Sequence, residues 1–429
     1  MAHGFPLNPL KPWKERIRHF TWAWHAVIMG TGITSALITN FPYSGGAAPA
    51  LWLGFAVFAL NLILFVFVCG CTIARYTMFP EVWGLMLSHP AQSLFIGCFP
   101  MGAATLINGA LALNQARGWG GNALLYTLWG FWWLDSLVSY VIAFGMLYIM
   151  IVRQEQSLAK MTAVWLLPVV TLIVASSTGG LLAKALLPHS TKLALITTTF
   201  SLVMVLIGLS FALMIITVYL LRLITYGTPD ITLILSSFIV LGPLGQGGYS
   251  LLLNGENMSE LLPLHYGADF PFVQQSGQIP FLAQSGQMIF VACLAGSFIL
   301  WAMGIAWIIV AVLSIFSVAR KGKIPFSMAY WGMVFPHGTF ASLSVKLALV
   351  LDSSFYRAFG GLWCCVVFSL WLWMFTRSIP AFIDGSLFKA PYVSEEGNRR
   401  KSILEIEKGQ DTPVGDFTCP LAKGEKKPF

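Results

Sequence analysis

Ten apolar stretches of about 20 residues recur along this chain, at 20–39, 51–74, 95–115, 123–152, 162–187, 193–221, 231–254, 286–318, 327–351 and 354–376. A helix of that length crosses the ~30 Å hydrocarbon core of a bilayer. A chain that repeats it ten times has too few polar residues left to coat a water-facing globule. The expected fold is therefore an all-α integral membrane protein with ten transmembrane helices. Charged residues make up 10% of the 429 residues, against ~25% in an ordinary soluble chain. The 16 tryptophans suit interfacial anchoring, and the 40 glycines suit close helix packing. Six of the seven cysteines lie in or beside apolar runs, so neither a disulfide framework nor a metal site is expected. Residues up to Arg18 are polar and basic and lead into a full-length span, which does not read as a cleaved signal.

The net charge of +8 comes without a basic-aromatic surface or a nucleic-acid-binding motif, so no nucleic acid partner is expected. It reads instead as a topology signal. An even number of spans puts both chain ends on one side. On that side lie Lys11, Lys14, Arg16, Arg18, Arg75, Arg153, Lys160, Arg222, Arg320, Lys321, Lys323 and Arg377, against Arg117, Lys184, Lys192, Lys346 and Arg357 on the other. Positive charge accumulates on the cytoplasmic side. The expected domains are then a basic cytoplasmic N-terminus at 1–19, a transport domain at 20–377 and a flexible cytoplasmic tail at 378–429, whose Arg399-Arg400-Lys401-Ser402 run reads as a solvated charge cluster. The segment 255–285 becomes an external loop, and its Asn257-Met258-Ser259 sequon a candidate glycosylation site.

The odd-numbered spans share a marker. They carry Gly30 in Gly30-Thr31-Gly32, then Pro100, Pro168, Pro243 and Pro336, at intervals of roughly 70 residues until a longer last interval. Proline within a helix removes a backbone hydrogen bond and kinks the axis, and the freed groups must then face protein or water. Proline and glycine are common in membrane helices, but four prolines confined to odd spans predict five helical hairpins. Broken inner helices would surround a central pore, with the even helices outside.

Phe99-Pro100-Met101-Gly102, Trp132-Trp133-Leu134-Asp135, Gly242-Pro243-Leu244-Gly245-Gln246-Gly247 and Trp331-Gly332-Met333-Val334-Phe335-Pro336 resemble motifs of the tellurite-resistance/dicarboxylate transporter family, and within it most resemble the fungal sulfite efflux pumps. The likeness runs from about Phe20 to Arg377. It implies a homotrimer in the plasma membrane with a separate pore in each subunit, and a phenylalanine plug that maps onto Phe335. His337 departs from the pattern, where a sulfite pump is expected to carry Met.

Candidate pathway residues are His25, Thr31, Phe99, Asn108, Gln246 and His337. Ionisable groups inside a membrane are costly and are functional candidates by default. His25 reads equally well as an interfacial histidine bonded to a carbonyl. Phe99 precedes Pro100 as Phe335 precedes Pro336. Thr31, Thr34, Thr105, Asn108, Thr171, Ser176, Gln246 and Thr339 are neutral groups that either replace an anion's hydration shell or bond neighbouring helices. Asp135, on an even span, reads as a structural anchor. Lys184 and Lys346 either snorkel to the interface or make the outer mouth positive.

The function that follows is export of a small inorganic anion, sulfite or bisulfite. The absence of a GxxxxGK[ST] phosphate loop argues against direct ATP drive. Malate or another C4-dicarboxylate stands second, because no arginine lies on an odd span near the markers to clamp a carboxylate. A chloride- or nitrate-conducting channel stands third. A haem-type membrane enzyme would need histidine pairs on facing helices, and only His25 and His337 lie inside spans. Neither enzymatic activity nor a cofactor is expected.

Overall fold

Each expected span is overlapped by helix in the computed structural model, which describes residues 12–44, 46–231, 233–266, 280–320, 322 and 326–394. The main compact unit reaches Lys389. No strand occurs among the described residues. Apart from the short α1 (Trp13–Arg18) and α4 (Glu81–Ser88), the helices fall into two alternating kinds.

The first kind is α2 (His25–Thr39), α5 (Cys98–Arg117), α7 (Leu167–Leu186), α9 (Leu241–Tyr266) and α11 (Trp331–Leu351). Each continues directly from a stretch of 3-10 helix, at Trp22–Trp24, Ser93–Gly97, Ala163–Leu166, Ile234–Val240 and Met328–Tyr330. The second kind is α3 (Ala48–Met78), α6 (Gly121–Val152), α8 (Thr191–Tyr226), α10 (Pro280–Ala319) and α12 (Ser354–Ile383), all of 30 residues or more. Each helix of the first kind packs on the second-kind helix that follows it. The first-kind helices also pack in sequence, α2 on α5, α5 on α7, α7 on α9 and α9 on α11, and α11 closes the ring on α2.

Burial separates the rings. In the most apolar stretch of Ala163–Leu186, 94% of residues are buried; in that of Ser285–Ala319, 22% are. Exposed Ile63, Val66, Ile151, Ile224, Leu313 and Leu362 give the outer helices the apolar surface that lipid requires. Among the described residues, eight helices are long and apolar enough to cross a membrane. The segments over 20–39 and 231–254 are not among them. Helix α2 has only 15 residues, and α9 carries Gln246, Ser250, Asn254, Glu256 and Asn257. A polar helix survives at that depth only where protein or a cavity covers it.

Tryptophans bind the rings together. Trp132 of α6 donates to the Ala175 carbonyl of α7 at 2.8 Å, Trp301 of α10 to Ser344 of α11 at 3.0 Å, Trp371 of α12 to Thr31 of α2 at 3.1 Å, and Trp331 of α11 to Ser378 of α12 at 2.9 Å. On the side of the chain ends, Arg16 donates to the carbonyls of Phe382 and Ile383, at 3.0 and 2.9 Å, and ties α1 to the end of α12.

The markers occupy a setting different from mid-helix breaks. Pro100, Pro168 and Pro243 fall within the first three residues of their α-helices, just past the 3-10 turn. A missing N–H costs little in a first turn. Gly30 and Pro336 lie one turn further in, and the helix runs unbroken past both. Two other expectations move. Helix α9 continues to Tyr266, so the expected loop does not begin at 255. Helix α12 runs to Ile383, so the expected tail does not begin at 378. The charged run at 399–402 lies outside the described residues.

Candidate functional site

Two cavities lie inside the inner ring. The wider, about 480 Å³, is lined by α2 (Ile33 to Asn40), α5 (Asn108 to Gln115), α7 (Leu181, Lys184, Ala185), α9 (Gln246, Tyr249, Leu253) and α11 (Ser342 to Leu349), with Phe55 as the one outer-ring residue. The narrower, about 20 Å³, is lined nearer the starts of the same helices by groups that include Met29, Met101, Val170, Gly242, Trp331 and Phe335. All of its lining residues are apolar. That volume is about what one water molecule needs, and an apolar void of this kind stays dry. The narrow cavity lies toward the chain ends and the wide one toward the opposite side.

The inner ring is thus wide at one end, where amides, hydroxyls and two lysines share the wall with apolar side chains, and tight and apolar at the other. The family model described as SLAC1, voltage-dependent anion channel, matches residues 19–379. The chain belongs to the SLAC1 family. The sulfite efflux pump SSU1 of Arthroderma otae is 32% identical over 87% of this chain and 93% of its own length. The SSU1 pump of Saccharomyces cerevisiae is 28% identical over 73% and 76%. The malic acid transport protein of Schizosaccharomyces pombe is 21% identical over 88% and 82%.

Three of the SLAC1-family chain's candidate residues reach the cavities. Phe335 is 3% exposed and lines the narrow one with Pro336. Asn108 and Gln246 line the wide one. Gln246 Nε2 donates to Ser177 Oγ. Ser177 already donates to the Val174 carbonyl at 2.8 Å, so its oxygen must accept, and this orients the amide. Gln246 Oε1 and Asn108 Oδ1 are buried without a partner among the described residues, so both amides keep hydrogen-bonding capacity to spare. A second motif residue, Gly245, lets the ring close. A Cβ there would lie 2.5 Å from the Phe340 nitrogen and 2.7 Å from the Thr339 carbonyl carbon, so α9 and α11 touch backbone to backbone.

The other candidates line neither cavity. His337 donates from Nδ1 to the Met333 carbonyl at 2.8 Å and packs between Phe238 and Trp363, the latter on outer α12. Thr31 accepts the Trp371 indole. Phe99 stacks on Phe65 of α3, with ring centroids 6.1 Å apart, so it faces outward and does not repeat Phe335. His25 is fully buried, stacks on Trp22 and bonds the Trp22 carbonyl through Nδ1 at 3.3 Å, while its Nε2 has no partner among the described residues. The hydroxyls are spent on backbone. Thr34, Thr105, Thr171 and Thr339 donate to carbonyls three or four residues earlier, and Ser176 donates to Ser201. Asp135 is buried, and its Oδ2 finds no partner among the described residues, so the expected anchoring bond is not seen there.

Asn257 is corrected outright. It lies inside α9, 3% exposed, with Nδ2 donating to the Gly180 carbonyl at 2.8 Å. A buried helical amide engaged in that way is closed to a glycan.

Both lysines of the expected outer mouth line the wide cavity, and both meet an acid that the sequence reading passed over. Glu256 Oε2 is 2.5 Å from Lys346 Nζ and 3.9 Å from Lys184 Nζ. Had the seventh span been carried on at helical spacing through Asn254, Asn257 and Leu261, Glu256 would have fallen on an inner helix. Among the described residues, no cluster of metal-ligating side chains occurs.

Proposed function

We propose that this chain is a plasma-membrane exporter of sulfite or bisulfite, with ten spans arranged as five hairpins around an axial pathway gated by Phe335. The observation that carries the reading is the pair of cavities on one set of five inner helices, with lysines at the wide end and an aromatic constriction at the narrow end. The names of the SSU1 relatives supply the anion. Both chain ends are cytoplasmic in this reading, so the wide cavity opens outward. No phosphate loop is needed for drive. A potential negative inside favours anion exit by about 2.3 kcal/mol per charge per 100 mV. The functional unit is a homotrimer with one pathway in each subunit.

A malate permease is the second reading, favoured by two lysines on one cavity and by the malic acid relative. Glu256 offsets one of those charges, which ranks it second. Flux into liposomes of purified protein, measured with sulfite, malate and chloride, separates the readings. Sulfite flux well above malate flux is expected; the reverse order overturns the first reading.

A further inference from the structure

The wall of the wide cavity holds two cations with one anion behind them. Lys184 of α7 and Lys346 of α11 both line the cavity, and Glu256 of α9 does not. Lys346 is held tightly, with its side chain 13% exposed and its ammonium 2.5 Å from Glu256. Lys184 is 54% exposed and 3.9 Å from the same oxygen. No other charged side chain lines this cavity among the described residues. The site therefore carries a net charge of +1, presented by ammonium groups on the same cavity that Asn108 and Gln246 line.

We propose that Lys184, Lys346 and Glu256 form a charge-matched anion site that favours singly charged over doubly charged anions. This rests on the transport reading above and adds the charge class of its substrate. The argument is one of scaling. Attraction to a fixed site charge grows linearly with the charge of the anion. The cost of removing the anion from water grows with the square of its charge. A site of +1 repays a monoanion and under-repays a dianion. Glu256 sets that balance, because neutralising it raises the site to +2 while both cations keep their places on the wall. Glu256 also joins α7 and α11 through α9, so a purely mechanical role as a clip must be separated from charge selection.

The experiment compares nitrate and sulfate, whose charges do not change near neutral pH, as fluxes in liposomes under a potassium–valinomycin clamp. Wild-type protein is expected to carry nitrate faster than sulfate. In Glu256→Gln the nitrate-to-sulfate ratio should fall by about tenfold or more, since one unit charge at these distances is worth more than a tenfold step in affinity. Sulfate flux should rise in absolute terms. Lys184→Gln, at an exposed position, should lower both fluxes and sulfate the more. A folded Glu256→Gln protein with an unchanged ratio, or with both fluxes lowered equally, leaves the pair a clip and overturns the proposal. Should Glu256→Gln fail to fold, Lys184→Gln decides, and unchanged fluxes there overturn it. If wild-type protein carries neither ion, sulfite flux in the same liposomes judges the transport reading separately, and that reading fails only if sulfite is not carried either. The site is then judged by thermal unfolding with each ion, where nitrate should stabilise the wild type more than sulfate does. Equal shifts with the two ions reject the site.

Discussion

The two ends of the inner ring are built from the same five helices and differ in almost everything else. At the starts of the helices the lining is apolar without exception and leaves about 20 Å³. Two to three turns further on in α5, α7 and α11, and one turn on in α2 and α9, the space opens to about 480 Å³ with amides, hydroxyls and two ammonium groups on its wall. In the proposed transport reading, the narrow end excludes a hydrated ion because nothing there replaces its water, and the wide end offers partial replacement without enclosure. Separating the two tasks along one axis lets each be altered without rebuilding the other, and substitutions can test that separation.

The largest effect is expected at the narrow end. Phe335→Ala should raise anion flux by roughly two orders of magnitude, which corresponds to about 3 kcal/mol removed from the barrier. Expression and oligomer size should hold. A phenylalanine that only packs would instead show as about 3–5 kcal/mol of lost stability, read as poor yield and early unfolding. Flux unchanged in a well-folded variant would end the comparison, since the narrow cavity would then not be the barrier.

A smaller effect belongs to the wide end. Gln246→Leu removes a cavity amide and leaves Ser177 Oγ without its donor. Flux should fall by about tenfold, matching about 1–1.5 kcal/mol for one lost hydrogen bond. Stability should drop by a similar amount in a melting curve. A loss of flux as deep as that of a blocked pore would mean that the wide end also gates.

The smallest effect is expected beside the narrow end, at a side chain that faces away from the axis. His337→Met costs the bond to the Met333 carbonyl, about 0.5–1.5 kcal/mol of stability. It should leave the pH profile of flux unaltered, because the ring lies between Phe238 and Trp363. A shifted profile would place the histidine on the pathway after all.

What could be read from sequence followed from how strongly lipid constrains a chain. Apolar length located the helices, and the Gly and Pro markers picked out the inner ones, because only an inner helix tolerates so much glycine and polarity. The facing of individual side chains was harder to read. Phe99 and Phe335 both precede a proline, yet one meets α3 and the other the axis. Their prolines stand at different depths in their helices, and each residue of offset turns a side chain by about 100°. Threonine hydroxyls looked like pathway donors because composition does not reveal that a hydroxyl three or four residues along a helix meets its own backbone first. Glu256 and Asn257 were misplaced for one shared reason. A polar stretch reads as a loop until a cavity wall and a neighbouring helix are there to receive it.

The indole bonds between the rings have an optical consequence. Trp132, Trp301 and Trp371 sit where an inner helix meets an outer one, and each has a fixed acceptor. Their emission will register slippage of one ring against the other. Trp331 differs from these three, for its ring lines the narrow cavity while its N–H is held by Ser378 on α12. Water entering beside Phe335 would redden the light from that one residue, so the protein carries a native fluorophore at its own constriction.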